Sequence, residues 1–136
     1  MIGIIDTGIC NITSLKNTLS YLNYDFISTN EITKLSKCEK LILPGVGTFK
    51  EGMQRIKTNK FDKLIYEHIE NNKYLLGICL GMQLLLSKGF ENGESNGLDL
   101  IKGEVKKLKK NSKDRIPHIG WNEINILNKK NDLLKN

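Results

Sequence analysis

The sequence is poor in the residues that build specialised scaffolds: 136 residues carry three cysteines, two histidines, two prolines and one tryptophan. Cys10, Cys38 and Cys79 are odd in number, widely spaced and without a C-x-x-C pair, which excludes a disulfide framework and a zinc site. There is no apolar run of 18 residues, so no membrane-spanning helix is expected. The opening Met1-Ile2-Gly3-Ile4-Ile5-Asp6 lacks the basic stretch, apolar core and small-residue cleavage site of a secretory signal, and a cytoplasmic protein is expected. Arginine is nearly absent as well, since 19 of the 21 basic residues are lysine.

That last shortage bears on the net charge of +6. A basic cluster at Lys102, Lys106, Lys107, Lys109, Lys110, Lys113 and Arg115 invites a nucleic-acid reading, but no aromatic residue interleaves it. Lysine-rich, solvated strands serving solubility account for it better, and neither nucleic acid nor membrane is expected as a partner.

With 39% hydrophobic residues and no repeat, low-complexity tract or linker, residues 1–136 form one domain with a real core. Met1 to Asp6 reads as a buried strand opening into the turn Thr7-Gly8-Ile9-Cys10. Ile12, Leu15, Leu19 and Leu22 make one helical stripe, and Tyr24 to Ser28 a second strand. A weak helical stretch at Glu31 to Ser36 precedes a third strand, Lys40 to Leu43, stopped by Pro44. Thr48-x-x-Glu51 is a capping box that starts the next helix. Phe61, Leu64, Ile65 and Ile69 mark another helix, and Lys73 to Ile78 a fourth strand. Helices between short apolar strands require parallel crossovers, so this half is a doubly wound α/β sheet with its ligand site at the strands' carboxyl ends. After Gly89 the segments Leu98–Ile101, Glu104–Leu108, Ile116–Ile119 and Glu123–Leu127 are short and partly alternating, which suggests an antiparallel extension.

Gly77-Ile78-Cys79-Leu80-Gly81 follows a strand and opens a helix, the context of a nucleophile elbow with sulfur in place of oxygen. The glycines permit a sharp turn that exposes the thiol, and a helix start presents unpaired N–H groups that favour an anionic sulfur. The competing reading is a small buried cysteine at a strand end. Pro44-Gly45-Val46-Gly47 ends the neighbouring strand, where backbone N–H groups of Gly45, Val46 and Gly47 could join that of Leu80 around an oxyanion. An ordinary glycine-rich turn is the alternative. Of the two histidines, His68 reads as a surface or boundary residue on its helix, and His118 belongs to Pro117-His118-Ile119-Gly120-Trp121-Asn122 with nothing to place it beside Cys79.

Four stretches then carry a family resemblance: Ile4-Ile5-Asp6-x-Gly8-x-x-Asn11, Leu43-Pro44-Gly45-Val46-Gly47, Leu76-Gly77-Ile78-Cys79-Leu80-Gly81-Met82-Gln83 and Pro117-His118-Ile119-Gly120-Trp121-Asn122. In this order they resemble the class I glutamine amidotransferases, and within them the glutaminase subunits that serve imidazole glycerol phosphate synthesis. The resemblance implies that Cys79 attacks the carboxamide of L-glutamine and that water cleaves the resulting thioester. It also implies that Gly45, Val46, Gly47 and Leu80 hold the oxyanions, and that Gln83 and Glu91 hold the substrate. Ammonia would pass to a (βα)8-barrel cyclase partner that makes imidazole glycerol phosphate in histidine biosynthesis, with Asn11, Trp121 and Asn122 at or near that interface. The implied chemistry needs neither cofactor nor metal. Trp121 could equally be a core residue.

The chain departs from the pattern at Thr7 and Cys10 of the first loop. The family's catalytic His-x-Glu lies in a carboxyl-terminal segment beyond the match; Asn131 to Asn136 resembles the stretch before the next core strand, so the expectation is a carboxyl-terminally incomplete glutaminase domain over 1–136. Two further readings share the motifs: a paralogue supplying ammonia for amidation of surface-polysaccharide sugars, and a non-catalytic form that only docks the partner. A DJ-1-like protein with a cysteine elbow fits less well, because Gln83 and Pro-Gly-Val-Gly argue against it.

Overall fold

The structure is a computed structural model and describes residues 1–8, 10–109, 116 and 119–127. Four strands, β1 (Ile2–Ile5), β2 (Phe26–Thr29), β3 (Lys40–Gly45) and β4 (Tyr74–Cys79), form a sheet in the order β2-β1-β3-β4. Every pairing in it is parallel, with Ile4 beside Ile42 and Ile42 beside Leu76. The connections are α1 (Thr13–Tyr21), α2 (Ile32–Leu35), α3 (Phe49–Thr58) and α4 (Phe61–Glu70), so strand and helix alternate as the periodicity predicts. A fifth helix, α5 (Leu80–Leu84), starts at the residue after β4.

Alternate side chains of each strand feed opposite faces of the sheet. On one face Ile5, Leu41 and Leu43 join Leu35 of α2, Phe49, Met53 and Ile56 of α3, Phe61, Leu64 and Ile65 of α4, and Leu80 and Leu84 of α5 in one buried cluster. On the other face Ile4 and Ile42 pack with Leu19 of α1. α3 is well specified locally: the Thr48 hydroxyl accepts from the Glu51 N–H at 3.3 Å, as the capping box requires, and Phe49 in its first turn is fully buried. Full burial of such a side chain contributes about 1.5–3 kcal/mol.

A second sheet combines β5 (Leu86–Gly89), β6 (Ser95–Asn96) and β7 (Ile101–Val105). The extension is mixed: β5 pairs antiparallel with β6 and parallel with β7. The expected break between Leu98–Ile101 and Glu104–Leu108 is replaced by the single strand β7, and Glu123–Leu127 forms no strand; Ile124 and Leu127 are 74% and 96% exposed, so that stretch buries nothing that would hold a strand in place. Pro44 does not end β3, which runs two residues further to Gly45. The β1–β3 pairing stops at Ile42, so at Pro44 the strand is bonded on one side only and the missing donor interrupts no two-sided ladder. β2 begins two residues later than Tyr24, at Phe26. Among the described residues no helix is long and apolar enough to cross a membrane.

Candidate active site

Cys79 ends β4 and sits directly before α5 with φ 55° and ψ −119°, a conformation that a residue with a Cβ rarely adopts. Its neighbours explain how it is held there. A Cβ on Gly77 would come within 2.6 Å of the Met82 Cα, and one on Gly81 within 1.8 Å of the Leu43 carbonyl oxygen. Only glycine lets α5 turn back this closely over the ends of β3 and β4. Leu80 and Leu84 anchor α5 in the core while Cys79 stays exposed, so the buried-cysteine reading fails. Gln83 lies four residues beyond Cys79, on the same side of the short helix and half-buried.

The glycine turn is brought to the same place by register. Gly45 pairs with Cys79 across β3 and β4, on the same rung of a ladder whose strands lie about 4.8 Å apart. A Cβ on Gly45 would lie 2.9 Å from the Gly81 nitrogen and 3.0 Å from the Leu80 Cβ, so turn and elbow are in contact. Val46 is half exposed, and Gly47 takes φ 102°, which glycine tolerates. Beyond the turn, the Phe49 N–H donates to Glu91 Oε2 at 2.9 Å, a cap supplied from 42 residues away. Glu91, expected beside the substrate, therefore spends one carboxylate oxygen on the start of α3, next to the turn.

The first loop completes the edge. Asp6 Oδ1 accepts from the Gly8 N–H at 2.9 Å, and Asn11 Oδ1 accepts from the Thr13 N–H at 3.0 Å, so Asn11 starts α1 as well as being exposed. Burial pushes the Cys10 thiol up from its ordinary range, with smaller contributions from Cys79 and Asp6; the first-loop cysteine thus lies within electrostatic reach of the elbow. Thr7 is buried with no partner for its hydroxyl, and the Arg55 guanidinium donates to its carbonyl at 3.5 Å.

Other expectations fall elsewhere. His68 is not a surface residue: it is 4% exposed, and its Nε2 lies 3.1 Å from the Tyr74 carbonyl. A carbonyl can only accept, so Nε2 carries the proton and donates. This places His68 at the amino end of β4, beside Tyr74, five residues or about 17 Å of strand from Cys79, too far to act as its base. Trp121 is fully exposed rather than part of a core, and Asn122 is exposed beside it. His118, Lys110, Lys113, Arg115 and the stretch from Asn131 to Asn136 lie outside the described residues. Among the described residues no three histidine, cysteine, aspartate or glutamate side chains gather as a metal set. Sequence reasoning missed the cap from Glu91 and the link from Arg55 to Thr7, because each joins segments more than 40 residues apart and leaves no local pattern.

The SNO glutamine amidotransferase family matches residues 11–133. The imidazole glycerol phosphate synthase subunit HisH of Oceanobacillus iheyensis is 44% identical over 126 residues, 93% of this chain and 62% of that protein. The HisH subunit of Caldanaerobacter subterraneus is 45% identical over 93% of this chain and 61% of its own length. The chain thus spans about three-fifths of the length of these curated relatives. A crystal structure of a glutamine amidotransferase superposes with a TM-score of 0.65 over 76% of this chain and 54% of its own, at 17% identity, and shares the fold. With its exposed elbow cysteine, its glycine turn beside it on the adjacent strand and HisH subunits as its relatives, the chain belongs to the glutamine amidotransferase family.

Proposed function

We propose that the chain is the glutamine-hydrolysing part of an ammonia-supplying synthase, with Cys79 as the nucleophile. The observation that carries this reading is the pairing of Gly45 with Cys79, which puts the glycine turn on the next strand beside an exposed elbow cysteine. The Cys79 Sγ attacks the carboxamide carbon of L-glutamine, and the carbonyl oxygen becomes an oxyanion facing N–H groups of the Gly45–Gly47 turn and of Leu80. The C–N bond then breaks as nitrogen takes up a proton and leaves as ammonia. Water cleaves the thioester through a second oxyanion at the same donors, releasing glutamate. In this reading the proton carrier is the His-x-Glu pair implied by the resemblance. Gln83 and the second carboxylate oxygen of Glu91 orient the substrate.

In this reading the ammonia passes to a (βα)8-barrel cyclase in a cytoplasmic heterodimer whose interface includes Asn11, Trp121 and Asn122; that the relatives are named as synthase subunits supports a partner chain. Incubating the protein, carried through a segment with the His-x-Glu pair, and that partner with glutamine labelled at the amide nitrogen tests the assignment. Labelled ammonia and glutamate are expected, and Cys79→Ala removes both. Turnover that survives Cys79→Ala would refute it. The docking-only reading is separated by a glutamine-analogue electrophile, which adds its mass to Cys79 only if the nucleophile is competent.

A further inference from the structure

A cleft of about 580 Å³ runs along α3 beside the glycine turn, between Val46 and Gly47 at one end and Glu51, Arg55 and Asn59 on successive turns of the helix. Its two formal charges are in different states. Glu51 Oε2 accepts from the Thr48 hydroxyl at 3.0 Å as part of the helix cap. Arg55 has no carboxylate within ion-pair distance among the described residues. Among the described residues the one hydrogen bond of its guanidinium is the 3.5 Å contact to the Thr7 carbonyl. A guanidinium has five N–H donors in a planar fork, so four remain for a ligand, in the arrangement that grips a carboxylate with two bonds. Arginine stands here in a chain whose other basic residues are almost all lysine. Lysine would serve solubility equally well but could not form the paired contact.

We propose that Arg55 anchors a docking cleft for an acidic side chain of the protein partner that receives the ammonia. This rests on the functional reading above, which supplies the partner. Charge complementarity selects the occupant: Arg55 has no carboxylate partner among the described residues, Glu51 is held in the helix cap by Thr48, and the chain as a whole carries +6. The cleft touches Val46 and Gly47 of the turn and, through Arg55, the Thr7 carbonyl of the first loop. A partner carboxylate bound there would therefore sit against both segments that border Cys79.

The test is titration calorimetry of the chain with its barrel partner, for the native protein, Arg55→Gln and Arg55→Glu. Arg55→Gln keeps an N–H donor for Thr7 and loses the charge; Arg55→Glu reverses it. Arg55→Glu is expected to weaken binding by about tenfold or more, Arg55→Gln by less, and both losses should shrink as salt is raised. Thermal melts confirm that both variants fold, as expected for an exposed position on α3. Undiminished affinity of Arg55→Glu would overturn the proposal while leaving the functional reading intact. Failure of the native chain to bind the partner would overturn both. A third arm measures labelling of Cys79 by the glutamine-analogue electrophile. If Arg55→Glu abolishes labelling and leaves partner affinity unchanged, the occupant is the substrate's carboxylate and the partner assignment is wrong.

Discussion

The two ends of β4 treat their polar chemistry in opposite ways. At the amino end His68 is buried and donates to the Tyr74 carbonyl, while Lys73 donates from its ammonium to the carbonyls of Ser36 and Cys38 at 3.2 and 3.1 Å. These contacts close off the exit of α2 and the entry of the strand. At the carboxyl end Cys79 is exposed and held at φ 55°, the neighbouring turn is glycine-rich, and the buried Thr7 hydroxyl has no partner. One strand thus has a satisfied end that contributes stability and a strained end that costs some. Titratable groups at a sheet edge are not equivalent candidates for chemistry, and satisfaction separates them better than residue type does.

The comparison breaks most severely at Gly81. Gly81→Ala puts a methyl group on the Leu43 carbonyl, backbone that cannot swing away, and should cost about 3 kcal/mol or more in denaturant unfolding. At the other end, His68→Ala leaves a cavity and an unpaired Tyr74 carbonyl, for about 2 kcal/mol. Cys79→Gly should do the reverse and raise stability by about 1–2 kcal/mol, because glycine adopts φ 55° without strain, while removing the proposed nucleophile. A destabilised Cys79→Gly would show that the elbow is not strained. Titration gives a finer probe. Burial holds the His68 pKa below its ordinary 6.5, so the unfolded chain takes up a proton that the folded chain refuses. The stability present above pH 6.5 should fall as the pH drops from there toward the folded pKa, and the fall should flatten in His68→Gln. The smallest effect is expected from Glu91→Ala, which removes a cap from α3 and costs about 1 kcal/mol.

Much of this was legible beforehand, for identifiable reasons. Period-2 and period-3.6 patterns are local, and they place β1 through β4 and the helices between them. The cap at Thr48 and the elbow at Cys79 are likewise written in consecutive residues. What was missed depends on pairing. β5 follows Leu84 and Leu85 and reads as a continuation of α5; only its pairing with β6 and β7 makes it a strand. Pro44 looks like a stop until β1 is seen to end earlier. His68 has the spacing of the buried face of α4, three and four residues after Ile65 and Leu64, and only its polar ring makes it read as a surface or boundary residue.

The alignment of Gly45 with Cys79 has a consequence for how such a site can change. Because the backbone ladder fixes their separation, side chains around the edge can vary without moving the Cys79 backbone relative to the glycine turn. Under the proposed chemistry, the spacing between nucleophile and oxyanion turn is inherited from main-chain geometry, and the surrounding loops can be rewritten around it.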